Sequence, residues 1–155
     1  MPRHMTKKNI KGFVQKPDFK MIFDDRDSIR PDLLETFENE YADRRTSVTI
    51  ETDEFTAVCP WSGLPDFGQI TVQYVPGKKI IELRSYKYYL FSYRTVGIFQ
   101  EHLTQRLLQD LVACCDPMEM TVSVDYNIRG GVHTTTTASY TKGRQTGSSK
   151  GAHRR

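Results

Sequence analysis

One of the three cysteines in this chain stands where a nucleophile could be held. Cys59 closes a β-branched run and is followed by Pro60-Trp61-Ser62-Gly63-Leu64-Pro65 and then Asp66. A turn bounded by two prolines is stiff and folds back, so a thiol and a carboxylate seven residues apart can face one pocket. Thiolate and proton-transferring carboxyl are the partners of many covalent mechanisms. The plain alternative is a small buried hydrophobe.

A second group is Glu82 to Arg94, ELRSYKYYLFSYR, in which Arg84, Lys87 and Arg94 alternate with Tyr86, Tyr88, Tyr89 and Tyr93. Such a mixture suits an anion site, where cations hold phosphates and rings stack on a planar group. It also suits a solvated strand edge with ordinary aromatic packing. No GxGxxG is present, so a nicotinamide cofactor has no Rossmann turn to sit on. A third group, Phe99-Gln100-Glu101-His102, opens the clearest helical segment, and Glu101 there complements the helix dipole. Histidines fall at 4, 102, 133 and 153, and none stands at ligand spacing from a cysteine, so the sequence carries no metal-binding pattern.

The elements that must position these residues follow from periodicity. Pro31, Asp32, Leu33, Leu34, Glu35 and Phe37 predict a short helix after Ser28. Thr46 to Cys59 reads as a strand that the two-proline turn breaks. Further strands are expected from about Gly68 to Val75, from Lys79 through Ile80, Ile81 and Leu83, and over Met118–Tyr126 and Val132–Tyr140. Phe99, Leu103, Leu107, Leu111 and Cys114 recur at helical spacing and predict a helix over Gly97 to Cys115. This order predicts an α+β fold: an antiparallel sheet with helices on one face. The sheet's edges then need covering, which subunit association into a ring or barrel would provide.

A chain of 155 residues allows one domain. Residues 1–28 read as a polar N-terminal arm, 29–140 as the single domain, and 141–155 as a disordered basic tail. The formal net charge is +3, and setting aside the tail's Lys142, Arg144, Lys150, Arg154 and Arg155 leaves −2, so the basicity belongs to the tail. No apolar run approaches the ~20 residues of a membrane span, and the N-terminus lacks the apolar core of a secretory signal. An odd cysteine count argues against a disulfide scaffold and for a cytoplasmic protein.

Together these segments resemble the NADPH-dependent 7-cyano-7-deazaguanine reductases, the nitrile reductases of queuosine biosynthesis, in their short single-domain form. The resemblance covers roughly Phe55 to Tyr140. FTAVCPWSGLPDF is similar to the family's active-site segment, which implies Cys59 as nucleophile and Asp66 as proton donor. ELRSYKYY is similar to the family motif: Glu82, Leu83, Ser85, Lys87, Tyr88 and Tyr89 fit it, and Arg84 stands where lysine is usual. FSYRTVGIFQEH resembles the base-contacting segment, with Glu101 matching the family glutamate and Gln100 replacing its histidine. The resemblance further implies that Ile81, Glu82 and Leu83 line the base pocket with Gln100 and Glu101. Arg84, Ser85, Lys87 and Arg129 would bind NADPH, with Arg129 reaching from a neighbouring subunit.

The implied fold is the tunnelling fold of GTP cyclohydrolase I, its subunits joined into barrels stacked as rings. The implied reaction is four-electron reduction of the nitrile of 7-cyano-7-deazaguanine to 7-aminomethyl-7-deazaguanine by two NADPH. It passes through a Cys59 thioimide whose nitrogen Asp66 protonates, the carboxyl being one that burial favours in its neutral form. Neither a membrane nor a nucleic acid is required. Two other functions share the framework: amidine transfer to the same base within transfer RNA, and non-catalytic binding of a purine or pterin. A third reading, RNA binding led by the basic tail, would use Tyr86 to Tyr93 as stacking platforms.

Overall fold

The structure is a computed structural model that describes residues 22–144; most of the expected arm and tail lies outside the described residues. Four strands form the main sheet: β2 (Val48–Val58), β3 (Pro65–Val75), β5 (Glu119–Tyr126) and β6 (Thr135–Thr141). Their order is β2-β3-β5-β6 and every pairing is antiparallel. A two-stranded ribbon pairs β1 (Thr36–Glu38) with β4 (Lys79–Ile81). Two α-helices, α1 (Leu83–Phe91) and α2 (Gln100–Cys115), and two short 3₁₀ turns, Arg26–Ser28 and Pro31–Leu33, complete the regular structure among the described residues.

Strict alternation places one face of the sheet in the core. Ile70, Val72 and Tyr74 of β3 and Met120, Val122, Val124 and Tyr126 of β5 are buried there. Leu103, Leu107 and Leu111 of α2, at helical spacing, cover that face with Tyr86, Tyr89 and Leu90 of α1. The opposite face of β5 and β6 carries a row of hydroxyls, with Thr121 bonded to Ser139 and Ser123 to Thr137, both at 3.2 Å. The two helices are tied by a buried polar relay. Tyr93 donates to Tyr89, and Tyr89 to Asp110 Oδ2, each at 2.7 Å, while Arg106 Nε meets the same oxygen at 2.8 Å. Tyr93 also stacks edge-on against Phe55 of β2.

Two expectations are corrected. The helix predicted after Ser28 is a single 3₁₀ turn over Pro31–Leu33, after which Leu34 is extended and Thr36–Glu38 pairs with β4. Leu34 and Phe37 therefore serve a ribbon, not a helical apolar face. The strand predicted to run through Leu83 ends at Ile81, and the tyrosine-rich segment is helical. Glu82 is the reason: its carboxylate accepts from the Arg84 and Ser85 amides, an N-cap that starts α1. Tyr86, Tyr89, Leu90 and Tyr93 then fall on one buried helical stripe.

Candidate active site

The turn after β2 positions Cys59. Its amide donates to the Leu64 carbonyl at 2.9 Å, and the Gly63 amide returns a bond to the Cys59 carbonyl at 2.7 Å. On the other side, Val58 exchanges main-chain bonds with Val96 and Ile98, each at 3.0 Å, so the approach to α2 runs beside the cysteine. Ala57 pairs with Asp66 in the β2–β3 register. Cross-strand partners share a face and side chains alternate, so Cys59, two residues beyond Ala57, comes round to the side that holds Asp66. Sequence spacing and sheet parity thus agree on the juxtaposition.

The Cys59 thiol is half-buried. Burial opposes its ionisation, but the Ser62 hydroxyl, the Ser62 and Trp61 main chain and the Arg129 charge outweigh that cost, so its pKa lies below the ordinary thiol value. Asp66 is almost wholly buried, its side chain only 4% exposed, and it forms an ion pair with Arg129 of the same chain. Arg129 Nη2 also lies 3.5 Å from the Ser62 hydroxyl. The turn that carries Arg129 is tight: Arg129 and Val132 exchange bonds at 3.0 and 2.9 Å around Gly130 and Gly131. Those glycines have φ of 57° and 77°, the left-handed pair of a type I′ turn.

The first turn of α2 reaches the same end of the sheet. The Tyr126 hydroxyl of β5 lies 3.5 Å from the Gln100 carbonyl, and the Glu101 charge is felt at that phenol, whose ionisation burial already opposes. The structure therefore brings together Cys59, Asp66, Arg129, Gln100 and Glu101. Ser62 and Tyr126 join them, and sequence reasoning named neither. Ser62's place inside the two-proline turn was the available signal.

The remaining residues of interest sit elsewhere. Ile81 donates its amide to the Tyr74 hydroxyl at 3.2 Å, and Tyr74 pairs with Val48 at the far end of β2. Eight residues of β3 separate Tyr74 from Asp66, roughly 26 Å of strand. Glu82 and Ser85 are occupied in building α1, since Ser85 Oγ donates to the Glu82 carbonyl at 2.7 Å and accepts from the Glu35 amide at 2.9 Å. Leu83 and Lys87 line a groove of about 210 Å³ against Ile50, Glu51, Thr52 and Glu54. Arg84, Lys87 and Arg94 make no ion pair among the described residues. Lys87 and Arg94 lie 5.7 and 5.1 Å from the Phe91 ring centre. Unpaired cations beside an exposed ring fit an anionic dinucleotide.

A family model described as QueF-like protein matches residues 65–145. An NADPH-dependent 7-cyano-7-deazaguanine reductase of Chlorobaculum tepidum is 51% identical over 114 residues, 74% of this chain and 97% of the relative. The chain belongs to the 7-cyano-7-deazaguanine reductase family. Another reductase of that name, from Thermoanaerobacter pseudethanolicus, is 47% identical over 116 residues, 75% of this chain and 87% of the relative. Among solved structures, the apo archaeosine synthase QueF-Like superposes with a TM-score of 0.56 at 25% identity, covering 65% of this chain and 96% of that one. The QueF-like protein model begins at residue 65, so its match takes in Asp66, α1, α2 and Arg129.

Proposed function

We propose that this chain reduces the nitrile of 7-cyano-7-deazaguanine to the primary amine, with Cys59 as nucleophile and Asp66 as acid. The observation that carries the reading is a thiol of lowered pKa on the same face as a buried carboxyl, within one chain of this family. A nitrile carbon accepts the Cys59 thiolate, giving a thioimide as a proton reaches the nitrogen. Asp66 is the group placed to deliver that proton, and its burial keeps competing water away. NADPH, when bound, supplies the two hydrides that the four-electron change requires. Arg84 and Lys87 on the open side of α1, with Arg129, are the residues that would hold its phosphates. Glu101, exposed at the start of α2, accepts hydrogen bonds from a guanine-like ring N–H and exocyclic amine.

The working site joins two copies of the chain. Ile81, Leu83 and Lys87 lie at the end of β2 away from Cys59, so one chain's α1 would complete the pocket at another chain's Cys59. β2 and β6 are the sheet's edge strands, and edge pairing between copies would satisfy their free backbone groups and close a barrel. Among the described residues no helix is long and apolar enough to cross a membrane, and all three cysteines are free. The enzyme acts in the cytoplasm, where thiols stay reduced. Amidine transfer is disfavoured because the relatives near 50% identity are reductases, whereas the archaeosine synthase is more distant.

The test is loss of NADPH absorbance on adding 7-cyano-7-deazaguanine, with intact-mass detection of the thiol adduct. Two NADPH consumed per nitrile and a Cys59-dependent adduct are expected. An adduct with no oxidation would point to amidine transfer instead.

A further inference from the structure

The Arg129–Asp66 pair does something that phosphate binding alone does not require. Asp66 is buried on β3 and Arg129 stands on the β5–β6 turn, 63 residues away in sequence, yet the two meet inside one chain. The same guanidinium lies 3.5 Å from the Ser62 hydroxyl, in the turn that follows Cys59, and both Ser62 and Arg129 favour the Cys59 thiolate. Its side chain remains 40% exposed, so a ligand can still reach it. One cation thus touches the acid, the turn of the nucleophile and the solvent.

We propose that Arg129 is a positioning residue that couples Cys59 to Asp66 and that an anionic phosphate uncouples them. The proposal rests on the reading of Cys59 as nucleophile and Asp66 as acid. While Arg129 is paired inward, its charge favours thiolate at Cys59 and carboxylate at Asp66, which readies the nucleophile but withholds the proton. A phosphate that engages the guanidinium competes with Asp66 for the same N–H groups. The carboxylate then takes a proton from solvent and becomes a donor. Arrival of the dinucleotide therefore prepares the acid. The other groups at this end are Glu101 and Gln100 of α2 and Tyr126 of β5; of these only Glu101 is charged, and its charge acts on the Tyr126 phenol.

The experiment follows Cys59 alkylation by iodoacetamide against pH on the full chain without NADPH, read by peptide mass spectrometry. The proteins are the parent, Arg129→Gln and Arg129→Lys, and the added anion is inorganic pyrophosphate. Arg129→Gln is expected to move the alkylation midpoint to higher pH. Arg129→Lys, which keeps the charge, should stay near the parent. Pyrophosphate should shift the parent toward the Gln variant and leave that variant unmoved. Identical midpoints in parent, Gln variant and pyrophosphate-treated parent would overturn the proposal and leave Arg129 a phosphate ligand alone. So would an equal pyrophosphate shift in parent and Gln variant. A parent that alkylates as expected but forms no adduct with the nitrile would count against the proposed function, not against this coupling.

Discussion

The ring of Phe23 lies directly on Gly97: a Cβ built at that glycine would sit 2.2 Å from Cδ2 of the ring. Phe23 is 6% exposed, and its neighbour Asp24 exchanges main-chain bonds with Thr95 and Gly97 at 2.7 and 3.0 Å. Gly97 lies between Val96 and Ile98, which exchange main-chain bonds with Val58, the residue before Cys59. Gly97→Ala should therefore cost about 1–3 kcal/mol of stability and slow adduct formation, because ring or backbone must give way. Urea unfolding would measure the first effect. In the Phe23→Ala background the Gly97→Ala cost should shrink, since the two changes share one space. Equal costs in both backgrounds would refute the contact's role.

Cys59→Ala should abolish both the covalent adduct and turnover. Asp66→Asn should still bind the base but lose roughly 10²–10⁴-fold in reduction rate, the usual worth of a positioned acid. Intact mass and NADPH oxidation separate the two. Reduction retained by the Ala variant would remove the thioimide from the mechanism.

Glu101 stands exposed in the first turn of α2, where no packing depends on it. Glu101→Ala should weaken base binding by about 2 kcal/mol, roughly thirtyfold, with unfolding unchanged. Calorimetric titration with the base would show it. An unchanged affinity would assign the recognition of the ring to other groups.

The three thiols should separate by pH. Against its burial, Ser62, the Ser62 and Trp61 main chain and, least of these, Arg129 hold the Cys59 pKa below the ordinary value, whereas burial raises that of Cys114 and pushes Cys115 up to about 12. A thiol reacts as its thiolate, so reactivity rises with pH and rises first where the pKa is lowest. One equivalent of iodoacetamide at neutral pH should label Cys59 ahead of the other two. Predominant labelling of Cys114 would contradict the electrostatics described for the turn.

Much of this was legible in the residues. Strands β3 and β5 showed their alternation plainly, and the two prolines between Cys59 and Asp66 announced the turn that joins β2 to β3. The α1 helix was not legible as a helix, because β-branched Ile80 and Ile81 lead within a few residues to Tyr86, Tyr88 and Tyr89, which favour strands. What decides it is the Glu82 carboxylate turning back onto two amides, a choice of hydrogen bonds that side-chain period does not reveal. The ribbon β1 was hidden for a related reason: Pro31 starts a helical turn, but Leu34 is already extended. The glycine pair after Arg129 signalled a turn, yet nothing local could tell that its cation meets a carboxylate 63 residues earlier.

Surface loops ordinarily tolerate changes of length, but the connection between β5 and β6 should not. Arg129 faces Asp66 because Arg129 and Val132 close a two-residue turn in fixed register. Adding or deleting one residue between Tyr126 and Arg129 would displace that turn relative to the end of β5 and take the guanidinium away from Asp66. In this chain the length of that connection sets whether Arg129 reaches Asp66, so a length variant would lose the pair while retaining both residues.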